Sequence, residues 1–294
     1  MTVSVVIPNF NGESLLAKNL PSVLAAMANK ANEIKEIIVV DDGSWDGSVK
    51  LLRTQFQQVK RVVHKVNRGF SAAVNTGVRA SKGELIVLLN TDVVPVKDFL
   101  VNVIPHFENP NVFSVSVHEA GYGWARGYFA DGYVQLGMGT EDKSTHQSFY
   151  VSGGSGVFRR KYWVTLGGMD EKLLSPFYWE DIDICYRAAK RGLTNLWEPN
   201  SKVVHKHEST ISKLSKSYVQ RVRERNHLLF MWKNIGSSAL TRKHVVGLFS
   251  RLLKHPGYIR VVLMALGRLG IAVSKRRKEI REAKVSDETI FSRF

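Results

Sequence analysis

A chain of 294 residues with 44% apolar and 23% charged residues has the composition of a folded protein, and the length for one large domain with an appendage or for two small domains. Its single cysteine, Cys185, excludes an internal disulfide and sits in an apolar helical pattern that reads as a packed thiol, not a nucleophile. The net charge of +16 is concentrated: residues 201–294 hold 21 Lys and Arg against 6 Asp and Glu, a balance of +15 that leaves +1 for the first 200 residues and gives the C-terminal part a partner of its own.

Apolar TVSVVIP begins at once, without the basic segment and long apolar run of a secretory signal, so the protein is expected in the cytosol. Strand patterns SVVIP (4–8), EIIVV (36–40), RVVH (61–64) and ELIVLL (84–89) alternate with helical patterns near 13–29, 46–57 and 71–81. That alternation predicts an α/β fold with a mostly parallel central sheet flanked by helices. The segment NRGFSAAVNTGVRASKG suits a helix entered from a turn at Asn67-Arg68-Gly69, with Ala72, Ala73 and Gly77 allowing close approach to the sheet. From about 110 to 160 the pattern changes to strands rich in aromatics and glycine, and AGYGWARGYFADGY reads as a flexible, functional loop. Beyond Glu198-Pro199 the chain becomes helical and basic. From Arg251 onward its longest uncharged stretches are the seven residues between Arg260 and Arg268 and the six between Arg268 and Lys275, whereas a membrane span needs about 20. Arg260, Arg268 and Lys275 share one side of a helical wheel, with Val262, Leu266, Leu269 and Val273 opposite. This predicts an amphipathic helix lying in a membrane interface.

Four carboxylate stations mark the chain. Asp41-Asp42 follow EIIVV, Asp92 follows ELIVLL, and Glu180-Asp181 and then Asp183 open the helical stretch WEDIDICYRAAKRG. Acids at strand ends are where open α/β sheets bind ligands, and the order points to a sugar-nucleotide enzyme. Asp41 and Asp42 can accept hydrogen bonds from a pyrimidine N–H or a ribose hydroxyl, or simply form a turn and cap a helix. One carboxylate such as Asp92, with diphosphate oxygens and water, suffices for Mg²⁺ or Mn²⁺, although a helix cap is the alternative. Acids in a first helical turn are favoured by the helix dipole; here the aromatic run SPFYW leads in and would wall a pocket, where a carboxylate can take a proton from a sugar hydroxyl. His205 and His207 lie two apart on one face of an extended strand, so either can complete a metal site with Asp92. SGGSGVFRR lines an acceptor cleft or forms a bulged strand.

The ordered set VVIPNFNG, VVDDGSWDGS, NRGFSAAVNTG, LLNTDV, SGGSGVFRR, EDIDICYRAAKRG and VVHKHEST resembles the family-2 inverting glycosyltransferases of GT-A fold, particularly the bacterial branch that builds rhamnose-containing and O-antigen polysaccharides. The likeness covers about residues 2–210 closely and the tail loosely, which divides the chain into a catalytic domain, 1–210, and a basic amphipathic helical region, 211–294. The resemblance implies that Asp41 contacts the nucleotide base with Asp42 close by, that Pro8 and Asn9 form the first donor-binding turn, and that Asn67, Gly69, Asn75 and Asn90 belong to the nucleotide side. It makes Asp92 the metal-binding member of the DXD motif, with Asn90 replacing the first acid, and His205 the metal-facing histidine in preference to His207. Asp181 becomes the catalytic base, kept ionised at a helix start, with Glu180 beside it orienting the acceptor. The implied reaction uses Mg²⁺ or Mn²⁺ and a dTDP- or UDP-linked sugar, and its acceptor is a glycan or a polyprenyl-diphosphate-linked glycan. The tail is then expected on an anionic membrane, at the inner face of the plasma membrane, with a dimer interface as its alternative. A nucleic-acid partner is not expected, since the tail has no recognisable binding motif and such a role leaves the acidic stations unexplained. The rival reading is a catalytically silent sugar-nucleotide-binding or scaffold protein.

Overall fold

A computed structural model describes residues 1–205 and 214–294, so His207 lies outside the described residues. The expected alternation forms: β1 (Val3–Asn9), α1 (Glu13–Ala28), β2 (Ile34–Asp41), α2 (Ser48–Thr54), β3 (Lys60–Val63), α3 (Phe70–Ala80) and β4 (Leu85–Leu89) follow one another. Cover differs among the four strands: β1, β2 and β4 read as apolar runs because both sheet faces are covered there, with Val5, Val6, Val39, Val87 and Leu88 wholly buried, while β3 is a largely exposed edge. They lie in the order β3-β2-β1-β4, all parallel.

The second half contains β5 (Val93–Pro95), β6 (Val112–Glu119), β7 (Ala125–Ala130), β8 (Tyr133–Met138), β9 (His146–Gln147), β10 (Ser155–Arg159), α4 (Arg160–Leu166), α5 (Glu180–Lys190) and β11 (Thr194–His205). The sheet continues β4-β10-β6-β11-β5, with β9 also on β11. Here β10 runs antiparallel to both neighbours while β6 and β11 are parallel, so the parallel character belongs to the first half and the second is mixed. The stretch expected as a flexible loop is instead largely the β7–β8 hairpin. Asp131 and Gly132 form its turn at φ +53° and +82°, the pair of left-handed residues that two-residue hairpins require, and Asp-Gly is the dipeptide that supplies them.

The basic C-terminal region forms α6 (Lys216–Asn234), α7 (Ser238–Lys254), α8 (Ile259–Leu266), α9 (Leu269–Arg281) and α10 (Asp287–Phe291). It shares a core with the sheet layer: Leu228, Phe230, Ala265 and Ile290 pack in one cluster with Tyr133, Phe149 and Tyr186. Ion pairs cross the same boundary. Lys233 Nζ lies 3.0 Å from Asp170 Oδ2 and 2.8 Å from Asp183 Oδ1, and Lys190 Nζ lies 3.0 Å from Asp287 Oδ1. The hairpin tip seats on α7, where a Cβ added to Gly132 would stand 2.9 Å from Gly247 Cα and His244 Nδ1 donates to the Gly132 carbonyl at 2.8 Å.

The helical wheel drawn for 260–275 needs correction. The chain bends by 68° between Pro256–Leu266 and Leu269–Arg281. Arg268 turns inward to the carbonyls of Leu173 and Ser175, and Lys275 pairs with Asp170. Val262 is buried, while Leu263, Leu266, Leu269, Ile271 and Val273 are exposed along with Arg260. Buried carboxylates need cations beside them, and this need overrides simple amphipathic order. Among the described residues no single helix is long and apolar enough to cross a membrane; the bent pair reaches that length only together.

Candidate active site

The ends of β1 and β2 meet in register at Asn9 and Asp41. Asn9 Nδ2 donates to Asp41 Oδ2 at 2.8 Å, and the Ser44 N–H donates to Asp41 Oδ1 at 3.0 Å. Pro8, partly buried, precedes them. The Asp42 carboxylate accepts from the N–H groups of Arg68 (3.0 Å) and Gly69 (2.8 Å) and lies 2.6 Å from His64 Nδ1. Asp42 therefore ties the Asp-Asp-Gly-Ser turn to the Asn67-Arg68-Gly69 turn, where Asn67 Oδ1 accepts from Gly69 N. Gly43, at φ +76°, lies so close to this second turn that a Cβ would stand 2.7 Å from the Val66 carbonyl carbon, a position only glycine fills. At the rim, Trp45 is 79% exposed and meets Phe10 edge to face at 5.1 Å.

Asn75 is a correction. Its amide is buried and donates to the Met169 carbonyl and to Glu171 Oε1, while its oxygen accepts from Met169 N and Trp163 Nε1. All four hydrogen-bonding positions are used internally, so Asn75 pins α3 to the 163–171 segment and has nothing left for a nucleotide.

At the end of β4, the Asn90 N–H donates to the Gly154 carbonyl at 2.9 Å. Asp92 is buried, with Oδ1 3.4 Å from His205 Nε2. Pairing of β11 with β5 sets this approach by placing His205 opposite Val93. Glu119, closing β6, stands 3.1 Å from His205 Nδ1. Burial lowers the proton affinity of His205, but the two carboxylates outweigh it and raise the imidazole pKa. Among the described residues no cluster of three or more His, Cys, Asp or Glu offers a complete cage. The pair Asp92 and His205 nevertheless fits a cation that takes its remaining ligands from diphosphate and water, and a carboxylate on the far imidazole nitrogen is the usual support of a metal-binding histidine. Glu119 went unnoticed in the sequence, although VFSVSVHE ends in an acid as the other stations do.

The surroundings of Asp181 are built by α5 and α6 together. Tyr178 and Trp179 lie in the left-handed region at φ +71° and +76°, a strain of about 1–3 kcal/mol each. They are held by α6: the Asn226 amide reaches the carbonyls of Leu174, Phe177 and Tyr178, and the Trp179 ring stacks on His227 at 4.3 Å. Asp181 follows, its oxygens accepting from Ile182 N at 2.8 Å and Gly153 N at 3.2 Å. Crowding by protein raises the Asp181 pKa despite these bonds, so the helix start does not by itself set its ionisation as expected. Glu180 is buried beside it and does not line the cavity, which corrects the expectation that it orients the acceptor. Burial and the neighbouring Asp181 push the Glu180 carboxyl to about 8, and its Oε2 is without a hydrogen bond. Asp183 is wholly buried between Arg187 and Lys233 and serves structure. Cys185 is the packed thiol expected, pushed up to about 12 by burial.

Asp181, Glu119 and His205 border a cavity of about 400 Å³ walled by Tyr122, Tyr150, Tyr178, Trp179 and Trp197. Ser152 and Ser155 of the SGGSGVFRR stretch also line it. Arg159 and Arg160 do not: they donate to the carbonyls of Val112 and Val78.

Residues 4–166 match the family described as Glycosyl transferase family 2. The chain belongs to that family. The pre-mycofactocin glycosyltransferase of Mycobacterium tuberculosis is 28% identical over 219 residues, covering 71% of this chain and 43% of that protein, so this chain spans less than half of that relative's length. GalNAc-T7, solved with UDP, GalNAc and Mn²⁺, superposes with a TM-score of 0.62 at 17% identity over 88% of this chain and 57% of its own. The mannosyltransferase PcManGT of Pyrobaculum calidifontis, solved with GDP-Man and Mn²⁺, gives 0.57 at 16% identity over 95% and 85%. These structural likenesses establish the GT-A fold.

Proposed function

We propose that this family-2 enzyme moves a sugar, with inversion, from a dTDP- or UDP-linked donor to a hydroxyl of a glycan or polyprenyl-diphosphate-linked acceptor, in the building of a bacterial surface polysaccharide of the rhamnose-containing or O-antigen kind. The observation that carries this reading is that Asp181 alone of the acids at its helix start lines the aromatic cavity: Glu180 is buried with its carboxyl pushed to about 8, and Asp183 is locked in ion pairs. A single base suits a direct displacement, and a raised proton affinity suits a carboxylate that takes the acceptor's hydroxyl proton. Asn9 and Asp41 offer the turn that meets the nucleoside, with Asp42 fixing the turn that follows. Asp92 and His205 would hold Mg²⁺ or Mn²⁺, and neutralisation of the departing diphosphate is the chemistry such a cation supplies. The Mn²⁺ and nucleotide ligands of the two structural neighbours support that assignment.

Attachment to an anionic bilayer at the inner face of the plasma membrane belongs to the same proposal. Val246, Phe249 and Leu253 on α7 and Leu263 and Leu266 on α8 are exposed, and the same helices expose Arg242, Lys243, Lys254 and Arg260. Each basic residue at such a surface adds about 1 kcal/mol.

The test is release of nucleoside diphosphate from a panel of sugar nucleotides with Mg²⁺ or Mn²⁺ and bacterial membrane lipid as acceptor source. Asp181→Asn should slow turnover of the accepted donor about 10²–10⁴-fold. Absence of turnover with every donor would overturn the proposal in favour of a binding or scaffold role.

A further inference from the structure

The cavity beside Asp181 has a cation on its wall that the transfer reaction described above leaves unused. Arg223, on α6, lines it. Three neighbouring cations are committed internally. Arg225 donates to the Ser175 carbonyl, Lys233 sits between Asp170 and Asp183, and Arg251 pairs with Glu224. Arg223 makes no hydrogen bond or ion pair among the described residues; its guanidinium stands 5.8 Å from the centre of the Tyr178 ring, exposed to solvent.

Tyr150 relates this cation to the base. Burial pushes its phenol up to about 12, Asp181 pushes in the same direction, and Arg223 opposes both. Base and guanidinium therefore act on one hydroxyl in the same cavity wall. The other formal charges bordering the cavity are carboxylates, Glu119 and Asp181, together with His205. An anion is repelled from the carboxylates and has Arg223 as its receptor, and a guanidinium fork matches phosphate and carboxylate oxygens in pairs. The adjoining Tyr178 and Trp179 supply the apolar faces against which a sugar ring packs.

We propose that the Arg223 end of this cavity is an anion subsite that binds a phosphate or carboxylate carried by the acceptor, holding the acceptor's sugar so that its hydroxyl meets Asp181. The proposal rests on the glycosyl-transfer reading and narrows it to a negatively charged acceptor. The basic region then completes the active site as well as bracing it.

The test uses the intrinsic tryptophan fluorescence of the full chain, to which Trp179 and Trp197 of the cavity contribute, titrated in the presence of saturating UDP so that the nucleotide side is filled. The probes are glucose 1-phosphate, methyl glucuronoside and methyl glucoside. One charged sugar should bind at least about ten-fold tighter than the neutral glycoside, and which one does so separates phosphate from carboxylate. Arg223→Gln should erase that preference, Arg223→Lys should keep part of it, and UDP affinity should be unchanged in both variants. Equal binding of charged and neutral sugars by the native chain, or an unaltered preference in Arg223→Gln, would overturn the subsite. UDP binding retained alongside either result leaves the transferase reading intact, whereas a native chain that binds no nucleotide from a donor panel removes that reading and the subsite with it.

Discussion

The buried charges between α5, α6 and α9 allow a prediction of order as well as size. Five groups take part: the carboxylates Asp170 and Asp183 and the cations Arg187, Lys233 and Lys275, a formal balance of +1. Lys233→Met leaves two carboxylates facing two cations. Asp183 keeps Arg187 at 2.8 Å and Asp170 keeps Lys275, so the loss should lie at the low end for a broken buried pair, about 3 kcal/mol. Asp183→Asn preserves shape but leaves three cations around one carboxylate, a balance of +2, and should cost about 5 kcal/mol. With about 2–4 °C of Tm per kcal/mol in a protein of this size, the expected falls are about 6–12 °C and 10–20 °C. Thermal melts by circular dichroism and urea titrations at pH 7 measure both. The surrounding cations depress the Asp183 pKa below its ordinary 3.8, so its stabilisation is present above that pH and is lost as pH falls through the lower folded value. The gap between native chain and Asp183→Asn should accordingly narrow below about pH 4. Equal losses, a reversed order, or losses under about 1 kcal/mol would refute the charge-balance reasoning.

Glu180→Gln bears on the buried acid beside Asp181. Because its folded pKa of about 8 lies above the ordinary 4.5, its contribution to stability is present below about 4.5 and lost as pH rises to about 8. The variant should flatten the decline of Tm over that window and match the native chain near pH 4; parallel curves would disprove the assignment. Glu119→Gln should weaken Mn²⁺ binding about 10–100-fold with UDP present, as read from the electron paramagnetic resonance signal of free Mn²⁺; unchanged affinity would show that Glu119 does not support His205. Replacing Phe249 and Leu253 together by Glu should abolish sedimentation with anionic lipid vesicles while leaving Tm within a few degrees, since both side chains are exposed. Undiminished sedimentation would remove α7 from the membrane proposal.

Strands with both faces covered show as unbroken apolar runs, so β1, β2 and β4 and the acids at their ends were legible from the chain alone. What local pattern could not show was partnership over long distances. Asn75 sits in a motif of the nucleotide side, yet it is used by Trp163, Met169 and Glu171, about 90 residues away in sequence. Arg268 and Lys275 look like a solvent-facing stripe until Asp170 and the carbonyls of Leu173 and Ser175 are found to need them. Glu119 follows the same strand-end rule as Asp92, but its meaning depends on His205 arriving from β11. The hairpin was a different kind of miss, because the Asp131-Gly132 turn signal was present and was subsumed in the glycine and aromatic content around it.

The seating of the β7–β8 tip on α7 bears on how this fold can be re-engineered. Ala125, Leu136, Gly137 and Met138 of the hairpin border the cavity next to Asp181, while Gly132 meets Gly247 backbone to backbone. A chimera that grafts the hairpin from a relative to change acceptor choice, but keeps its own α7, brings two unmatched surfaces together at a contact with no room for a methyl group. The hairpin and the C-terminal helices thus form one fitted block, and a successful graft must carry both.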